Sequence, residues 1–406
     1  MLRFLHCADV HLDTPFSLED LDNADVRRAQ LRSAISSMML YIRQMRVDLL
    51  LIAGDLFGHA FLTRETAAFL RREFASVPDC HIVIAPGNHD FYTQDSIYST
   101  TDFSDNVHIF RDDVPSCFSF TVVEEDGMST PVEVWGFANT APAMNGYEVL
   151  NGVRFGEKTA GTYRFFVGHA ALAGSRCDDT ASDVPLIRKE QLAAGGFDYC
   201  ALGHYHTSDG IRRMEAKTAR GNVRTTYFSY AGCLVGRGFE ECGARGAVCG
   251  TLGFDENGDT VFSVRRLRMA RRRYECLDVC LDDVPDAQKT DAALPQVFAQ
   301  ALAQAVADKK MAAPDKDTAL RLTVTGTLGA HLLLSEQRIA EALAPLSSLV
   351  LIDRTVTGET ASLESDPTLR GAYLRTLADK LQSEDATMRE TAALALRLGM
   401  QEFKNE

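Results

Sequence analysis

The stretch that decides the fold is His81-Ile82-Val83-Ile84-Ala85-Pro86-Gly87-Asn88-His89-Asp90. Its first half is continuously apolar, which is typical of a strand buried on both faces. Its second half offers an amide oxygen, an imidazole and a carboxylate at three consecutive positions, and a simple turn does not require a histidine flanked in this way. The stretch therefore predicts a buried strand that ends at a functional site.

Four other apolar runs end in the same manner, with polar side chains directly after the predicted strand. These motifs are Asp9-Val10-His11, Gly54-Asp55, Gly168-His169 and Gly203-His204-Tyr205-His206. Residues two apart in an extended chain share a face, so the first and last motifs can each direct two ligands to one cation. A histidine taken alone is more often structural than a ligand. Five strand ends that deliver Asp, Asn or His to one edge of a sheet nevertheless predict a metal site.

The types of side chain indicate how many ions the site holds. Two aspartates, one asparagine and four histidines exceed the needs of a single four-coordinate zinc. The mixed set of oxygen and nitrogen donors favours Mn²⁺, with Fe²⁺, Mg²⁺ and Zn²⁺ as alternatives. We expect two divalent ions that share a carboxylate, because such a pair, about 3.5–4 Å apart, can activate water and hold phosphate oxygens during in-line attack.

The order of apolar runs predicts an α/β protein with three parts. Strands alternate with helical stretches at 24–46 and 63–75, and strands dominate from 132 to 254. From residue 274 the pattern becomes strand, helix, strand, helix, strand, which predicts a small α+β domain. Two amphipathic helices follow near the end of the chain. The predicted domains are residues 1–273, 274–358 and 359–406.

Composition limits where this protein works and what it binds. With 46% apolar and 24% charged residues it should fold as a globular protein. No apolar run approaches the roughly 20 residues that span a bilayer, and the ten cysteines are scattered without a CxxC pair. We therefore expect a cytoplasmic protein with reduced thiols, with neither export nor membrane insertion.

The net charge of −14 argues against wholesale coating of nucleic acid, so any DNA contact must be local. One basic cluster qualifies, and its members are Arg265, Arg266, Arg268, Arg271, Arg272 and Arg273. Two interpretations remain open for this arginine cluster: a surface that faces DNA, or a solvated strand edge or linker with salt bridges to nearby acids.

Taken in order, the five motifs resemble the complete signature of the calcineurin-like metallophosphoesterases. This resemblance implies a β-sandwich flanked by helices. It implies one metal held by Asp9, His11, Asp55 and His206, and a second held by Asp55, Asn88, His169 and His204. Asp55 would then bridge the two ions. His89 would lie beside the metals and donate a hydrogen bond or proton to the leaving group, with Asp90 orienting it.

Two stretches, residues 5–12 and 51–57, resemble more narrowly the SbcD-like DNA repair exonucleases, in particular their YhaO-type branch. The resemblance implies a phosphodiesterase that acts on DNA as an exonuclease or endonuclease. It also implies a homodimer, a capping domain at 274–358 that shapes substrate access, and C-terminal helices that dock a coiled-coil ATPase of the SbcC or YhaN kind.

Arg237 lies in a Gly-x-x-x-Gly-Arg segment similar to one that those exonucleases carry. It either contacts a substrate phosphate or fixes the glycine-rich loop through a buried salt bridge. Two rival functions also remain. One is a small-molecule phosphodiesterase or phosphatase with the same metals, and the other is a noncatalytic subunit of a complex.

Overall fold

Buried parallel strands form the centre of the first part of the computed structural model. The structure describes residues 1–14, 21–58, 63–124, 127–174, 183–208, 210–217, 223–256, 260–329, 332–357, 367–381, 388, 391–392, 394–396 and 398–399. The chain divides into two compact units. The first unit comprises Met1–Arg237 and Ala244–Arg271, and the second comprises Gly238–Gly243 and Arg272–Glu406.

The first unit alternates strands with helices in its first hundred residues and is rich in strands after that. Its strands are β1 (Leu2–Cys7), β2 (Leu49–Ile52), β3 (His81–Ile84), β4 (Val107–Ile109), β5 (Ser116–Val123), β6 (Ser129–Gly136), β7 (Tyr163–His169), β8 (Ala171–Leu172), β9 (Leu186–Ile187), β10 (Tyr199–Gly203), β11 (Arg212–Lys217), β12 (Val223–Tyr230), β13 (Gly246–Phe254) and β14 (Thr260–Arg268). Its described helices are α1 (Leu21–Met45), α2 (Arg64–Ala75), α3 (Ile97–Thr100) and α4 (Lys189–Ala194). Helix α2 begins where the Thr63 side chain accepts from the Thr66 backbone N–H, as N-caps do.

Two six-stranded sheets carry most of these strands. The first has the order β14-β13-β1-β2-β3-β4 and the second β11-β12-β10-β7-β6-β5. The strands β1 to β4 are parallel, as are β12, β10, β7 and β6. The first sheet therefore has four parallel strands, and β13 and β14 are added to one side of it by antiparallel pairing. The second sheet has four parallel strands between the antiparallel edge strands β11 and β5.

Alternation along the strands divides the core of this unit into layers. In β1, Leu5 and Cys7 pack with the helices α1 and α2. Their neighbours Phe4 and Ala8 face the opposite way and pack with residues of the second sheet. The Phe4 ring lies 5.3 Å from that of Phe165, centroid to centroid, across the two sheets. This period of two produces a β-sandwich flanked by helices, as the sequence predicts.

The second unit contains its own sheet and its own apolar core. Its strands are β15 (Arg273–Cys280), β16 (Thr318–Thr325), β17 (Thr327–Leu328), β18 (Ser348–Asp353) and β19 (Val356–Thr357), and its described helices are α5 (Leu294–Ala307), α6 (Glu336–Ala342) and α7 (Leu369–Leu381). Strands β15, β16 and β18 are parallel, as expected when helices connect them. The core between this sheet and helices α5 and α6 includes Leu322, Phe298 and Ile339.

A short piece of the sequence between the two stretches of the first unit belongs to this second unit. Residues 238–243 follow Arg237 directly, and the Gly243 backbone N–H donates to the Tyr274 carbonyl oxygen at 2.8 Å. The Phe239 ring packs edge-on against the Tyr274 ring at 5.2 Å. The segment is thus anchored to β15.

The C-terminal residues that the structure describes are helical in part. Leu374 and Leu377 of α7 pack with Leu396, and the Tyr373 hydroxyl donates to the Ala395 carbonyl oxygen at 2.5 Å. The second predicted helix extends to Met400, which lies outside the described residues. None of the helices in the described ranges combines the length and the apolar character that a bilayer span requires.

Candidate metal centre

The parallel strands of both sheets end at one place, and the backbone there takes unusual conformations. Asp9, His11 and Asp55 have φ values of 50°, 50° and 51°, in the left-handed region that residues other than glycine rarely adopt. The Asp9 N–H donates to the Gly54 carbonyl oxygen at 3.1 Å, and the His11 N–H to that of Asp55 at 2.9 Å. Such conformations persist only where the surroundings enforce them, and they concentrate at functional sites.

A first group of ligands comprises Asp9, His11 and His206, whose ligand atoms all lie within 4.8 Å of one another. The two Nε2 atoms of the histidines are 3.2 Å apart. His206 Nε2 lies 3.9 Å from an Asp9 carboxylate oxygen. Three donors that converge in this way can hold one cation.

A second group comprises Asp9, Asp55 and His169, again within 4.8 Å of one another. His169 Nε2 lies 3.3 Å from Asp55 Oδ2 and 3.1 Å from Asn88 Oδ1. Its Nδ1 is 2.9 Å from the Ala53 carbonyl oxygen, and a proton donated there leaves Nε2 available to a metal. The structure therefore brings Asn88 to the second group as well.

Asp55 lies between the two groups. Its Oδ2 atom is 3.6 Å from His11 Nε2 and 3.3 Å from His169 Nε2. A carboxylate in that position can contact both ions, which is the position that the resemblance implies for a bridging ligand.

His204 is placed differently from the other predicted ligands. Its backbone N–H donates to both Asp9 carboxylate oxygens, at 3.1 and 3.3 Å. Its ring centroid lies 5.6 Å from that of His169. The groups of converging ligand atoms found among the described residues do not include the His204 side chain, although the ring neighbours the second group.

His89 lies at the mouth of the centre. The residue is exposed, and the centroid of its ring is 5.0 Å from that of the His11 ring. Its backbone N–H donates to Asp55 Oδ1 at 3.0 Å. A ligand atom of His89 also lies within 4.8 Å of those of His11 and Asp55, so the imidazole can reach a group bound at the metals.

The structure gives Asp90 a different set of partners from the one expected. Its carboxylate is buried and accepts from four backbone N–H groups and from the Tyr98 hydroxyl, and none of these donors belongs to His89. The distances are 2.6 Å from Gly87, 3.2 Å from Asp55, 2.7 Å from Leu56, 3.2 Å from Phe57 and 2.6 Å from Tyr98. Asp90 therefore ties the loop after β3 to the loop after β2. It fixes the backbone of Asp55 instead of orienting the His89 ring.

Arg237 contacts a predicted ligand directly. Its Nη2 atom lies 2.9 Å from His206 Nδ1, and its carbonyl oxygen accepts from Arg27 at 3.1 Å. Neither contact is a salt bridge to a carboxylate. The guanidinium therefore lies beside the first group of ligands, on the Nδ1 side of the His206 ring.

Burial and charge shift the protonation equilibria at the centre. Burial raises the pKa of Asp9 to about 6, partly offset by His169 and His206. Burial also opposes ionisation of Asp55, but the neighbouring His169 and His11 lower the Asp55 pKa well below its ordinary value. Burial acts to lower the pKa of His169, and the Asp55 carboxylate outweighs it and raises that pKa to about 9.

These pKa shifts describe a site of buried carboxylates. Protonated His169 balances the negative charge of Asp55 when no cation is bound. A divalent ion supplies the same compensation by displacing the His169 proton. The donor types, their convergence and the buried carboxylates therefore fit the two-ion occupancy that the sequence predicts.

The arginine cluster is partly exposed: Arg265, Arg266, Arg268 and Arg271 are exposed, whereas Arg272 is half-buried and Arg273 is buried. Arg265, Arg266 and Arg268 lie on the edge strand β14, and Arg272 and Arg273 belong to the second unit. Several of these arginines contact residues of their own unit. Arg265 donates to the Tyr41 hydroxyl, Arg268 to the carbonyls of Ala270 and Arg271, Arg272 stacks over Tyr274, and Arg273 pairs with Glu275. These contacts favour the interpretation as strand edge and linker.

Sequence reasoning missed three residues that support the centre. Tyr98 donates to Asp90, Arg245 donates to the His206 carbonyl oxygen, and Asn139 donates to that of His169 at 3.4 Å. Asn139 follows a strand as the metal motifs do, and this signal could have identified it. Tyr98 and Arg245 have no comparable mark in the sequence.

Comparisons with known proteins identify the family. The family model described as calcineurin-like phosphoesterase matches residues 2–208, just over half of the chain. The chain therefore belongs to the calcineurin-like phosphoesterases. It is a metallophosphoesterase, and the family and the converging ligands together indicate that it binds divalent metal ions.

Two curated relatives match. The uncharacterized metallophosphoesterase YhaO of Bacillus subtilis (strain 168) is 29% identical over 211 residues, 50% of this chain and 48% of YhaO. The DNA double-strand break repair protein Mre11 of Methanopyrus kandleri is 24% identical over 225 residues, 54% of this chain and 47% of Mre11. The matched region thus spans about half the length of each relative.

The solved structures that resemble this chain include the calcineurin-like phosphoesterase YfkN from Bacillus subtilis. It is 13% identical, the alignment covers 65% of this chain and 90% of that chain, and the TM-score is 0.34. A dimetal phosphatase from Danio rerio is 12% identical, with 65% and 96% covered and a TM-score of 0.36.

Proposed function

We propose that this protein is a two-metal phosphodiesterase that cleaves DNA, as an exonuclease or endonuclease. One observation carries the proposal: Asp55 lies within 3.6 Å of a histidine from each ligand group, with the exposed His89 beside it. Mn²⁺ is the ion that the donor set favours. Two divalent ions supply Lewis acidity and an activated water when bound.

The residues at the metal centre have distinct roles in the proposed reaction. The Asp9 and Asp55 carboxylates provide the negative charge that retains cations, and Asp90 fixes the backbone of the loop that carries Asp55. His89 is exposed and lies next to the ligands, so its imidazole can donate a proton to the leaving oxygen of the cleaved phosphodiester. Arg237 supplies positive charge on the side of His206, where it can contact a phosphate oxygen.

The choice of DNA rests on the relatives more than on the surface. Mre11 of Methanopyrus kandleri is a DNA double-strand break repair protein, and its match covers 54% of this chain. The net charge of −14 requires that DNA contacts be confined to the metal centre and its rim.

The test is cleavage by the metal-loaded full chain of three substrates: linear duplex DNA, single-stranded DNA and bis-p-nitrophenyl phosphate. We expect Mn²⁺-dependent cleavage of at least one DNA. His89→Gln should lower kcat by about 10²–10⁴-fold while two ions still bind. The matched control is His108→Gln, which alters a half-buried histidine stacked on Phe118 and should leave kcat unchanged.

A small-molecule phosphodiesterase or phosphatase is the second candidate. The acidic surface and the internal partners of the arginine cluster favour it. Turnover of the small ester with both DNAs left intact would support this candidate against DNA cleavage. No metal-dependent turnover of any substrate by protein that binds two ions would refute both.

The partners that we propose follow from the same family resemblance. A coiled-coil ATPase would dock on the C-terminal helices, where Leu369 is 72% exposed, and a second copy of this chain would complete a homodimer in the cytoplasm. Leu31, Ile35 and Met38 of α1 are buried in the core of the first unit. Val26, Leu40 and Met45 of the same helix are exposed and remain available to a dimer contact. Light scattering after size exclusion tests the dimer.

A further inference from the structure

Two cysteines of the second unit lie side by side. The Sγ atoms of Cys242 and Cys276 are 3.2 Å apart. Cys242 belongs to the segment 238–243 and Cys276 to β15, and the hydrogen bond from Gly243 to Tyr274 holds the two backbones together at this point. The phenylalanine carbonyl of the same segment, Phe239 O, lies 3.1 Å from Cys242 Sγ and 3.8 Å from Cys276 Sγ.

Both thiols are accessible to a small reagent. Cys242 and Cys276 are partly exposed, whereas Cys7, Cys80, Cys200, Cys233 and Cys249 are buried. In β15 the residues Leu277 and Val279 face the core. Cys276 lies on the opposite face with the exposed Asp278, so the pair is on the outer side of the sheet.

A cation next to the pair distinguishes the two thiols. Arg321 is the register partner of Cys276 on the adjacent strand, and its guanidinium contacts the Cys276 sulfur. It also lies over the Phe239 ring, 5.3 Å from the centroid. A guanidinium beside a sulfur stabilises the thiolate, which is the form that attacks disulfides. Burial and the neighbouring Cys276 raise the pKa of Cys242 to about 12, although Arg321 acts in the opposite direction.

We propose that Cys242 and Cys276 form a reversible disulfide, with Cys276 as the attacking thiol and Cys242 as the resolving thiol. The oxidant is a low-molecular-weight disulfide. The Cys276 thiolate attacks one of its sulfurs, forms a mixed disulfide and releases one small thiolate, which takes up a proton. Cys242 then loses its proton to water and attacks the Cys276 sulfur, which releases the second small thiol. Two electrons and two protons pass from the cysteines to the oxidant.

The bond has a consequence for the chain that leads to the metal centre. The segment 238–243 follows Arg237, whose guanidinium contacts His206. A disulfide between Cys242 and Cys276 would fasten this segment covalently to β15. The inference does not rest on the proposed nuclease function, because it concerns two thiols outside the metal centre.

The experiment treats the full chain with oxidised glutathione at pH 7.5 and identifies the products by intact mass and by peptide mapping. We expect a loss of two hydrogens and a linked pair of peptides that contain Cys242 and Cys276, with reversal by dithiothreitol. Cys242→Ser should stop at a stable glutathione adduct on Cys276. Cys117→Ser and Cys280→Ser, which alter the exposed cysteines, should still form the linked pair.

The arginine gives a second, kinetic readout. Arg321→Gln should slow formation of the mixed disulfide by roughly tenfold at pH 7.5, because it removes the cation that contacts the Cys276 sulfur. Adducts distributed among the exposed cysteines, or a glutathione adduct on Cys276 that persists while Cys242 is intact, would overturn the proposal. Circular dichroism of each variant establishes that it is folded before the reaction is compared.

Discussion

The backbone of Gly203 packs against the carbonyl oxygen of Ala53 so closely that a Cβ atom on Gly203 would stand 1.8 Å from that oxygen. The two residues belong to different sheets of the sandwich. Ala53 follows β2, and Gly203 ends β10 immediately before His204. The same Ala53 oxygen lies 2.9 Å from His169 Nδ1, so this contact fixes ligands of the metal centre as well as the spacing of the sheets.

Gly203→Ala should therefore damage stability and metal binding together. The obstructing atom belongs to the backbone, so relief requires the sheets to shift, and we expect a loss of about 3 kcal/mol or more in the free energy of unfolding. Urea denaturation with and without Mn²⁺ measures it. Gly156→Ala is the control, because a Cβ there meets no atom within 4 Å. Equal stability of the two variants would contradict the packing described here.

The position of Asp55 between the two ligand groups predicts weaker binding of both ions when its charge is removed. Asp55→Asn should weaken the binding of Mn²⁺ by at least about 100-fold, since its carboxylate lies next to histidines of both groups. Isothermal titration of metal-free protein measures affinity and stoichiometry. Asp25→Asn, at a side chain that is 94% exposed, is the matched control. Retention of two tightly bound ions in Asp55→Asn would rule out a bridge.

Asp90 and Tyr98 provide a test of the structural role that the hydrogen bonds give to this aspartate. Tyr98→Phe removes one of the five donors to the buried carboxylate and should cost about 1–3 kcal/mol of stability. Because the other four donors are backbone groups, two metal ions should still bind. Tyr147→Phe, at a residue that is 39% exposed, should be close to neutral. Thermal denaturation of the two variants compares them directly.

The buried His6 predicts how stability depends on pH. Burial lowers the pKa of His6 to about 3, with Arg266 contributing in the same direction, and its Nδ1 lies 2.9 Å from the Tyr199 hydroxyl. In the unfolded chain the pKa is near 6.5. His6 of the unfolded state thus binds a proton below pH 6.5, whereas His6 of the folded state stays neutral down to about pH 3. The contribution of His6 to the free energy of unfolding is therefore complete above pH 6.5 and decreases as the pH falls.

The contribution of His6 is a slope of about 1.4 kcal/mol per pH unit between those two values. His6→Gln should remove that slope, and the difference between the two proteins isolates His6 from other groups that titrate. Urea denaturation of metal-free protein at pH 4.5, 5.5 and 7.5 gives the comparison. A difference between the two proteins that stays constant across these pH values would contradict a neutral His6.

The sequence predicts the strands that carry the centre because they are buried on both faces. β2 and β3 contain continuous apolar residues, which few other structures accommodate. Strand β14 was only one of the open interpretations of the arginine cluster, because its arginines alternate irregularly with Val264 and Leu267 on an edge that solvent reaches. An edge strand has one partner, and its pattern is correspondingly weak.

Some features of the metal centre could not be predicted from the sequence, for a different reason. The family resemblance implies that Asp90 orients His89, but the Asp90 carboxylate accepts hydrogen bonds from donors more than thirty residues earlier. That choice depends on the distance between two loops, which no local pattern encodes. The meeting of the ligands at one place was predictable, since parallel strands deliver their ends together. The expectation that all five strands share one sheet edge was wrong, because they belong to two sheets. The hydrogen-bond partners of each side chain were not predictable.

The predicted ligands of the metal centre are divided between the two sheets. Asp9, His11, Asp55 and Asn88 follow strands of one sheet, and His169, His204 and His206 end or follow strands of the other. Some of these partners are 195 positions apart in the chain. A cation bound among them therefore acts as a cross-link that only the assembled sandwich can accept. During synthesis of the polypeptide, high-affinity loading must wait until β10 has been made and paired, which makes metal retention a marker of completed folding.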